Sequence, residues 1–245
     1  MCTVSWLRHD ACGYELFCNR DERLTRKAAS SPAVCVRSGV RYVAPVDGDF
    51  GGSWVGVNEF GLTLCLLNNY DERPAAPAPD QRSRGLLLTA LMDCRSVAQV
   101  RARLSEASDL SHYRPFTMLV LAPGVPAFAA RWADSRLTFE DNPAMPLTSS
   151  SFDGGRVCEA RKNLFRRMGA AGVGVSVEML RLFHRSHEPA RGPFSVCMHR
   201  EDAATVSFSR VRVGERLVEF EYRSQSPCSD ARPVNVVLPR AGAEL

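Results

Sequence analysis

A cysteine follows the initiator methionine, and the tetrapeptide Asn19-Arg20-Asp21-Glu22 comes seventeen residues later. Met1 is normally removed when residue 2 is small. Removal would leave a thiol and a free α-amine on Cys2, so that a nucleophile and a base share one residue. An α-amine titrates near ~7.7–8.0 and is partly neutral in the cytosol, so it can take the thiol proton without a histidine. Arg20 beside a thiol would favour the thiolate. Asp21 could accept a hydrogen bond from the α-ammonium and fix its orientation, as the third member of a catalytic triad does. Downstream, Asn58-Glu59-Phe60-Gly61-Leu62 leads into Leu66-Leu67-Asn68-Asn69. An amide at the end of such a strand can donate to a developing oxyanion, although Asn68 or Asn69 could equally cap the loop that follows.

The elements that must position these residues are legible from periodicity. Residues 2–8 and 12–19 are apolar-rich runs separated by His9-Asp10-Ala11-Cys12-Gly13, the pattern of a β-hairpin. A polar loop is expected over 20–31. Short strands follow at 34–36 and 42–44, then a glycine-rich loop Asp47-Gly48-Asp49-Phe50-Gly51-Gly52, then strands at 53–57 and 62–67. The proline-rich stretch 69–83 reads as an exposed loop. Residues 85–93 and 96–106 show helical spacing, with Ser96 as N-cap of the second. Strands at 116–121, 127–132 and 137–140 precede a second helix pair at 155–168 and 176–184. Final strands are expected near 196–198, 204–210 and 216–222, and the tail from Ser224 as irregular. Helices grouped in two blocks argue against a Rossmann or barrel repeat and for two antiparallel sheets with a helix pair outside each.

Composition limits the function classes. At 245 residues, 45% apolar and 24% charged, the chain suits a globular domain without a membrane span. The N-terminus has no basic region followed by an apolar run, so the expected location is cytoplasmic. Only Lys27 and Lys162 stand among 31 basic residues, an arginine bias that reflects genome composition better than nucleic-acid binding. Nine scattered cysteines without a CxxC pair read as reduced, mostly buried thiols. No metal or cofactor is expected. His184 and His187 read as exposed residues of a helix, and Cys197-Met198-His199 as a core cysteine and methionine with one outward histidine. The run Arg161-Lys162…Arg166-Arg167 reads as a solvated helix face.

Met1-Cys2, Asn19-Arg20-Asp21-Glu22, the block Gly51-Gly52-Ser53-Trp54-Val55-Gly56-Val57-Asn58 and Leu67-Asn68-Asn69 together resemble the NRDE protein family, which includes transport and Golgi organisation protein 2. Leu147-Thr148-Ser149-Ser150-Ser151-Phe152-Asp153 resembles that family's later block. The family is in turn similar to the choloylglycine hydrolase and penicillin V acylase branch of N-terminal nucleophile hydrolases. The resemblance implies one domain over residues 1–245, with an α+β fold of four layers, the αββα sandwich. It implies Cys2 as nucleophile, supported by Arg20 and Asp21, with Asn68 as oxyanion donor and Asn19, Asn69 and Ser149 around the substrate. Ser149 stands where the acylase branch usually carries asparagine, and Arg191 and Arg200 are candidates for its late pocket arginine. Two functions stay open. One is hydrolysis of an amide or thioester bond of a small-molecule acyl substrate. The other is non-catalytic handling of acyl-coenzyme A, lipid or haem on the same fold. Oligomeric state is not readable.

Overall fold

The computed structural model describes residues 2–9, 13–70, 80–171 and 174–242. The fate of Met1, the expected turn at 10–12 and most of the loop at 69–83 lie outside the described residues.

Strand β1 (Cys2–Arg8) pairs antiparallel with β2 (Tyr14–Arg23), with Cys2 opposite Arg20. Side chains alternate across such a ladder. Val4, Trp6, Leu16 and Cys18 accordingly face the core between the sheets. Thr3, Ser5, Asn19 and Asp21 point the other way, at helices. Both faces are covered, so the first eight residues of β2 are all buried.

β1 and β2 belong to a six-stranded sheet ordered β10-β1-β2-β11-β12-β13. Its remaining strands are β10 (Leu147–Ser149), β11 (Ala203–Val213), β12 (Leu217–Arg223) and β13 (Val234–Pro239). The second sheet runs in sequence order from β3 to β9. These strands are β3 (Ser30–Arg37), β4 (Val40–Val46), β5 (Val55–Asn58), β6 (Thr63–Asn68), β7 (Phe116–Ala122), β8 (Val125–Ala133) and β9 (Arg136–Asp141). Every ladder is antiparallel.

The inner faces share one apolar core that includes Val4, Trp6, Trp54, Val57, Leu119 and Phe220. Each such side chain contributes about 1.5–3 kcal/mol by leaving water. Helices α1 (Arg84–Ala90) and α2 (Val97–Glu106) cover the second sheet, and α3 (Gly154–Ala170) and α4 (Val177–Arg185) cover the first. The result is the α+β, four-layer arrangement expected from the order of elements. Ser96 caps α2 by accepting the Gln99 amide at 3.2 Å. Ser176 caps α4 in the same way at 3.1 Å.

Three expectations need correction. Residues 196–198 form no strand, because the Cys197 amide bonds Ser186 and the Val196 carbonyl is taken by the Asn19 side chain. The tail is not irregular throughout, since β13 pairs along β12 as an edge strand with Val234 and Val237 exposed. The stretch 20–31 is not all loop, because β2 continues to Arg23 along β11 and β3 starts at Ser30. Leu147–Ser149 add a short strand whose register places Ser149 opposite Cys2. Among the described residues no helix is long and apolar enough to cross a membrane.

Candidate active site

Cys2 opens the first sheet's β1 and points between the sheets, 5% exposed. Its thiol is hydrogen-bonded to Cys18, whose sulfur lies 3.7 Å from that of Cys65 on the second sheet. All eight described cysteines are free thiols. The hydrogen bond to Cys18 and then burial push the Cys2 thiol well above its ordinary pKa. A thiolate at Cys2 would need an adjacent base to take its proton. The Cys2 nitrogen lies 3.4 Å from Ser149 Oγ. Were Met1 removed, that nitrogen would be the α-amine, and Ser149 would contact it.

Arg20 is on the same face of the sheet as Cys2 but directs its charge elsewhere. Its guanidinium is ion-paired with Asp47, lies 3.7 Å from Glu22 and sits 4.1 Å over the Trp54 ring. Asp47 is shared with Arg26, whose Nη2 reaches both carboxylate oxygens at 2.7 Å. The expected thiolate stabilisation by Arg20 is thus not what sets the Cys2 pKa; Cys18 and burial are. The glycine-rich loop that carries Asp47 passes close to the start of α1, with Ser53 N bonded to Gly85 O at 3.1 Å. A Cβ on Gly52 would fall 2.4 Å from Gly85 C, so a side chain there would displace this wall of the site.

Cys2, Arg20, Asn68, Arg84 and Arg114 line a cavity of about 400 Å³, within the size range of small-molecule sites. The lining holds Arg20, Arg26, Arg82, Arg84 and Arg114 against Glu22 and Asp47, leaving it net positive. Arg84 is mostly buried and donates to the Pro115 carbonyl at 2.9 Å. Burial lowers its pKa, and Arg114 adds to that. Among the described residues no carboxylate lies within ion-pair distance of it. Sequence reasoning missed Arg84, since a single arginine after a proline-rich loop carries no signal.

Asn68 ends β6 and borders both this cavity and a neighbouring one of about 370 Å³ that also touches Asn69 and Ser149. Its Nδ2 donates to the Tyr70 hydroxyl at 2.7 Å. The second N–H of the same Nδ2 is the donor left for an oxyanion.

Asn19 faces neither cavity. Its Nδ2 donates to the carbonyls of His184 and Val196 at 3.0 and 2.9 Å. Oδ1 must then accept from His184 Nδ1–H at 3.0 Å, which leaves His184 Nε2 to accept from Ser5 at 2.8 Å. Asn19 therefore pins α4 to β2 instead of binding substrate. His184 is fully buried, not an exposed helix residue.

Burial, with the nearby Arg161 charge, lowers the His184 pKa from 6.5 to about 3. The unfolded chain binds this proton first, so the contribution to stability is complete above pH 6.5 and drains away as pH falls toward 3. Urea unfolding should show about 1 kcal/mol less stability at pH 5.5 than at pH 7. A His184→Gln protein should lose most of that difference; an equal pH slope in both proteins contradicts the assignment.

Asp21 is also on the helix side and fully buried. It accepts from Thr205 Oγ1 at 2.6 Å and from Arg161 Nη1 at 3.1 Å. Arg161 is 1% exposed and also bonds Thr3 at 2.7 Å. Its reading as part of a solvated face was wrong. Val157, Arg161, Leu164 and Phe165 are the buried stripe of α3, at helical spacing. Arg191 and Arg200 do not line the Cys2 cavity, and Arg200 pairs with Asp202 at 2.7 Å. The arginine that reaches Asp21 is Arg161.

Solved structures of several hydrolases share this fold. The Caenorhabditis elegans N-acylethanolamine-hydrolyzing acid amidase ortholog matches with TM-score 0.60 and 11% identity, over 98% of this chain and 100% of that one. Penicillin V acylase from Agrobacterium tumefaciens matches with TM-score 0.57 and 11% identity, over 98% and 86%. Conjugated bile acid hydrolase from Clostridium perfringens matches with TM-score 0.56 and 13% identity, over 98% and 97%. At such identities the likeness establishes the N-terminal nucleophile hydrolase fold. No curated protein sequence shows significant similarity to the chain. The family model described as Transport and Golgi organisation 2 matches residues 1–155, the stretch that carries Cys2, the NRDE tetrapeptide and Asn68. The chain belongs to the Transport and Golgi organisation 2 family.

Proposed function

We propose that the chain is a cysteine N-terminal nucleophile hydrolase that cleaves an amide or thioester bond of an acyl substrate bearing an anionic group. The observation that carries this reading is that Cys2 opens on the same cavity as Asn68 and Arg84, an arginine that no carboxylate among the described residues pairs with. With Met1 removed, the α-amine takes the Sγ proton and the sulfur attacks the substrate carbonyl carbon. The carbonyl electron pair moves to oxygen, where the Asn68 amide and a backbone N–H hold it. Collapse expels the amine or thiol, protonated by the α-ammonium. Water, deprotonated by the same amine, then releases the acyl group from Cys2. Arg20 and Asp21 act as positioning residues, Arg20 through Asp47 and Trp54 and Asp21 through Arg161. Ser149 orients the amine. The fold neighbours named for acylase, hydrolase and amidase activity support the reaction class.

A ligand-holding protein is the second reading, favoured by the raised Cys2 pKa, because a protonated thiol is a contact and not a nucleophile. Acyl-coenzyme A and haem both carry anionic groups that the arginine lining would receive. Steady-state kinetics on paired neutral and anionic acyl amides and thioesters separate the two readings. For Arg84→Leu, KM for the anionic substrate should rise about 10- to 100-fold, the worth of a charged hydrogen bond, with little change for the neutral one. Tight binding of the anionic ligands with no turnover of any of them would overturn hydrolysis in favour of holding.

A further inference from the structure

At the far end of α4, four soft donors from three chain segments converge. His187 follows α4, Cys197 and His199 lie in the segment before β11, and Cys228 lies between β12 and β13. Their ligand atoms all lie within 4.8 Å of one another. We propose that His187, Cys197, His199 and Cys228 form a closed structural Zn²⁺ site.

The edges of the cluster carry the argument. His187 Nε2 is 3.3 Å from His199 Nε2, and that nitrogen is 3.4 Å from Cys197 Sγ and 3.5 Å from Cys228 Sγ. A tetrahedron built with Zn–N of about 2.05 Å and Zn–S of about 2.3 Å has N–N edges near ~3.3 Å and N–S edges near ~3.5 Å. One imidazole nitrogen has a single proton or a single lone pair, so it cannot satisfy three partners by hydrogen bonding. A cation at their centre can. Two imidazoles with two thiolates select zinc, and the two thiolate charges offset the ion's two positive ones.

The sequence brings the ligands together for a simple reason. Cys197 and His199, two residues apart, both bring a ligand atom to the cluster, while Met198 between them is buried at 1% exposed. Ser226 Oγ lies 3.3 Å from Cys228 Sγ and can donate to the thiolate. Arg191 Nη2 lies 3.4 Å from His199 Nδ1, and this contact opens on loading because the metal-bound ring keeps its proton there. Arg191 is at the surface and can turn to solvent. The ion would tie the β12–β13 connection to the segment before β11. Met198 N in that segment bonds Thr205 Oγ1 at 2.8 Å, and the same hydroxyl donates to Asp21 at 2.6 Å. The clamp therefore supports the placement of Asp21 without touching substrate.

Elemental analysis of the tag-free full chain should give about one zinc per chain. Replacement by Co²⁺ should give the d–d bands of a tetrahedral site and thiolate-to-cobalt charge transfer. In competition with a chelator, Cys197→Ser and Cys228→Ser should each lose at least about a hundredfold in zinc affinity, more than an outer-shell change costs. Circular dichroism reports whether each variant folds, and the wild-type cobalt spectrum keeps the test decisive if one does not. Three results would overturn the proposal: no zinc and no uptake on reconstitution, zinc retained at full affinity in both variants, or a Cys197–Cys228 disulfide revealed by the mass of two missing hydrogens.

Discussion

Cys2→Ala is expected to lose turnover by at least about a thousandfold while keeping its fold, as removal of a covalent nucleophile does. The thiol is the atom that attacks, and the amine that activates it sits on the same residue. The next sulfur, on Cys18, is fully buried behind Cys2 and cannot take its place. Cys2→Ser tests the same point more finely. It keeps the amine and an oxygen, but a hydroxyl holds its proton far more tightly than a thiol, so a large loss should persist. The structural cost of either change is small, since Cys2 lines the cavity and only one sulfur is removed. Thermal unfolding should show the variants folded, and steady-state rates give the loss. A Cys2→Ala protein that turns over substrate near the wild-type rate would exclude Cys2 as the nucleophile.

Arg161→Met should destabilise the protein by about 3–5 kcal/mol, the cost of leaving a buried carboxylate without its cationic partner. Arg161 and Asp21 are 1% and 0% exposed at the side chain, so solvent cannot replace the missing charge. The arginine also joins Thr3 and Thr148, tying α3 to β1 and β10 beside the Cys2–Ser149 pair. The double change Arg161→Met with Asp21→Asn should recover a good part of the loss, because no charge then remains buried. Urea unfolding of the four proteins closes the cycle. If the single variant is too unstable to purify, recovery of soluble protein in the double variant is the readout. A loss under about 1 kcal/mol in Arg161→Met would mean that the pair does not hold Asp21.

The two helix blocks, the alternating strands and the Cys2 hairpin were readable because each follows a local period. What the sequence hid was pairing over long separations. The strand pairing does bring Arg20 opposite Cys2, yet Arg20 is captured by Asp47, which lies in a loop with no periodic signal. Arg161 looked like one member of a charge run; its place in the stripe with Val157, Leu164 and Phe165 was the missed clue. Asn19 belonged to a motif and so read as a site residue, but strand alternation turns it toward α4 and away from the cavity. In the sequence Cys197-Met198-His199 reads as a core cysteine and methionine with one outward histidine. Cys197 and His199 both bring a ligand atom to the cluster, and the partners at 187 and 228 arrive only through the tertiary fold.

The most direct test of the account is the chemical state of residue 2 during reaction. The mature protein, incubated with an acyl thioester or activated acyl amide and quenched in acid, should be measured by intact mass and then sequenced from its N-terminus. The account predicts a chain lighter by one methionine that gains one acyl group, located on Cys2 and lost again with time. A mature chain that retains Met1, or turnover with the acyl group found elsewhere, would contradict it.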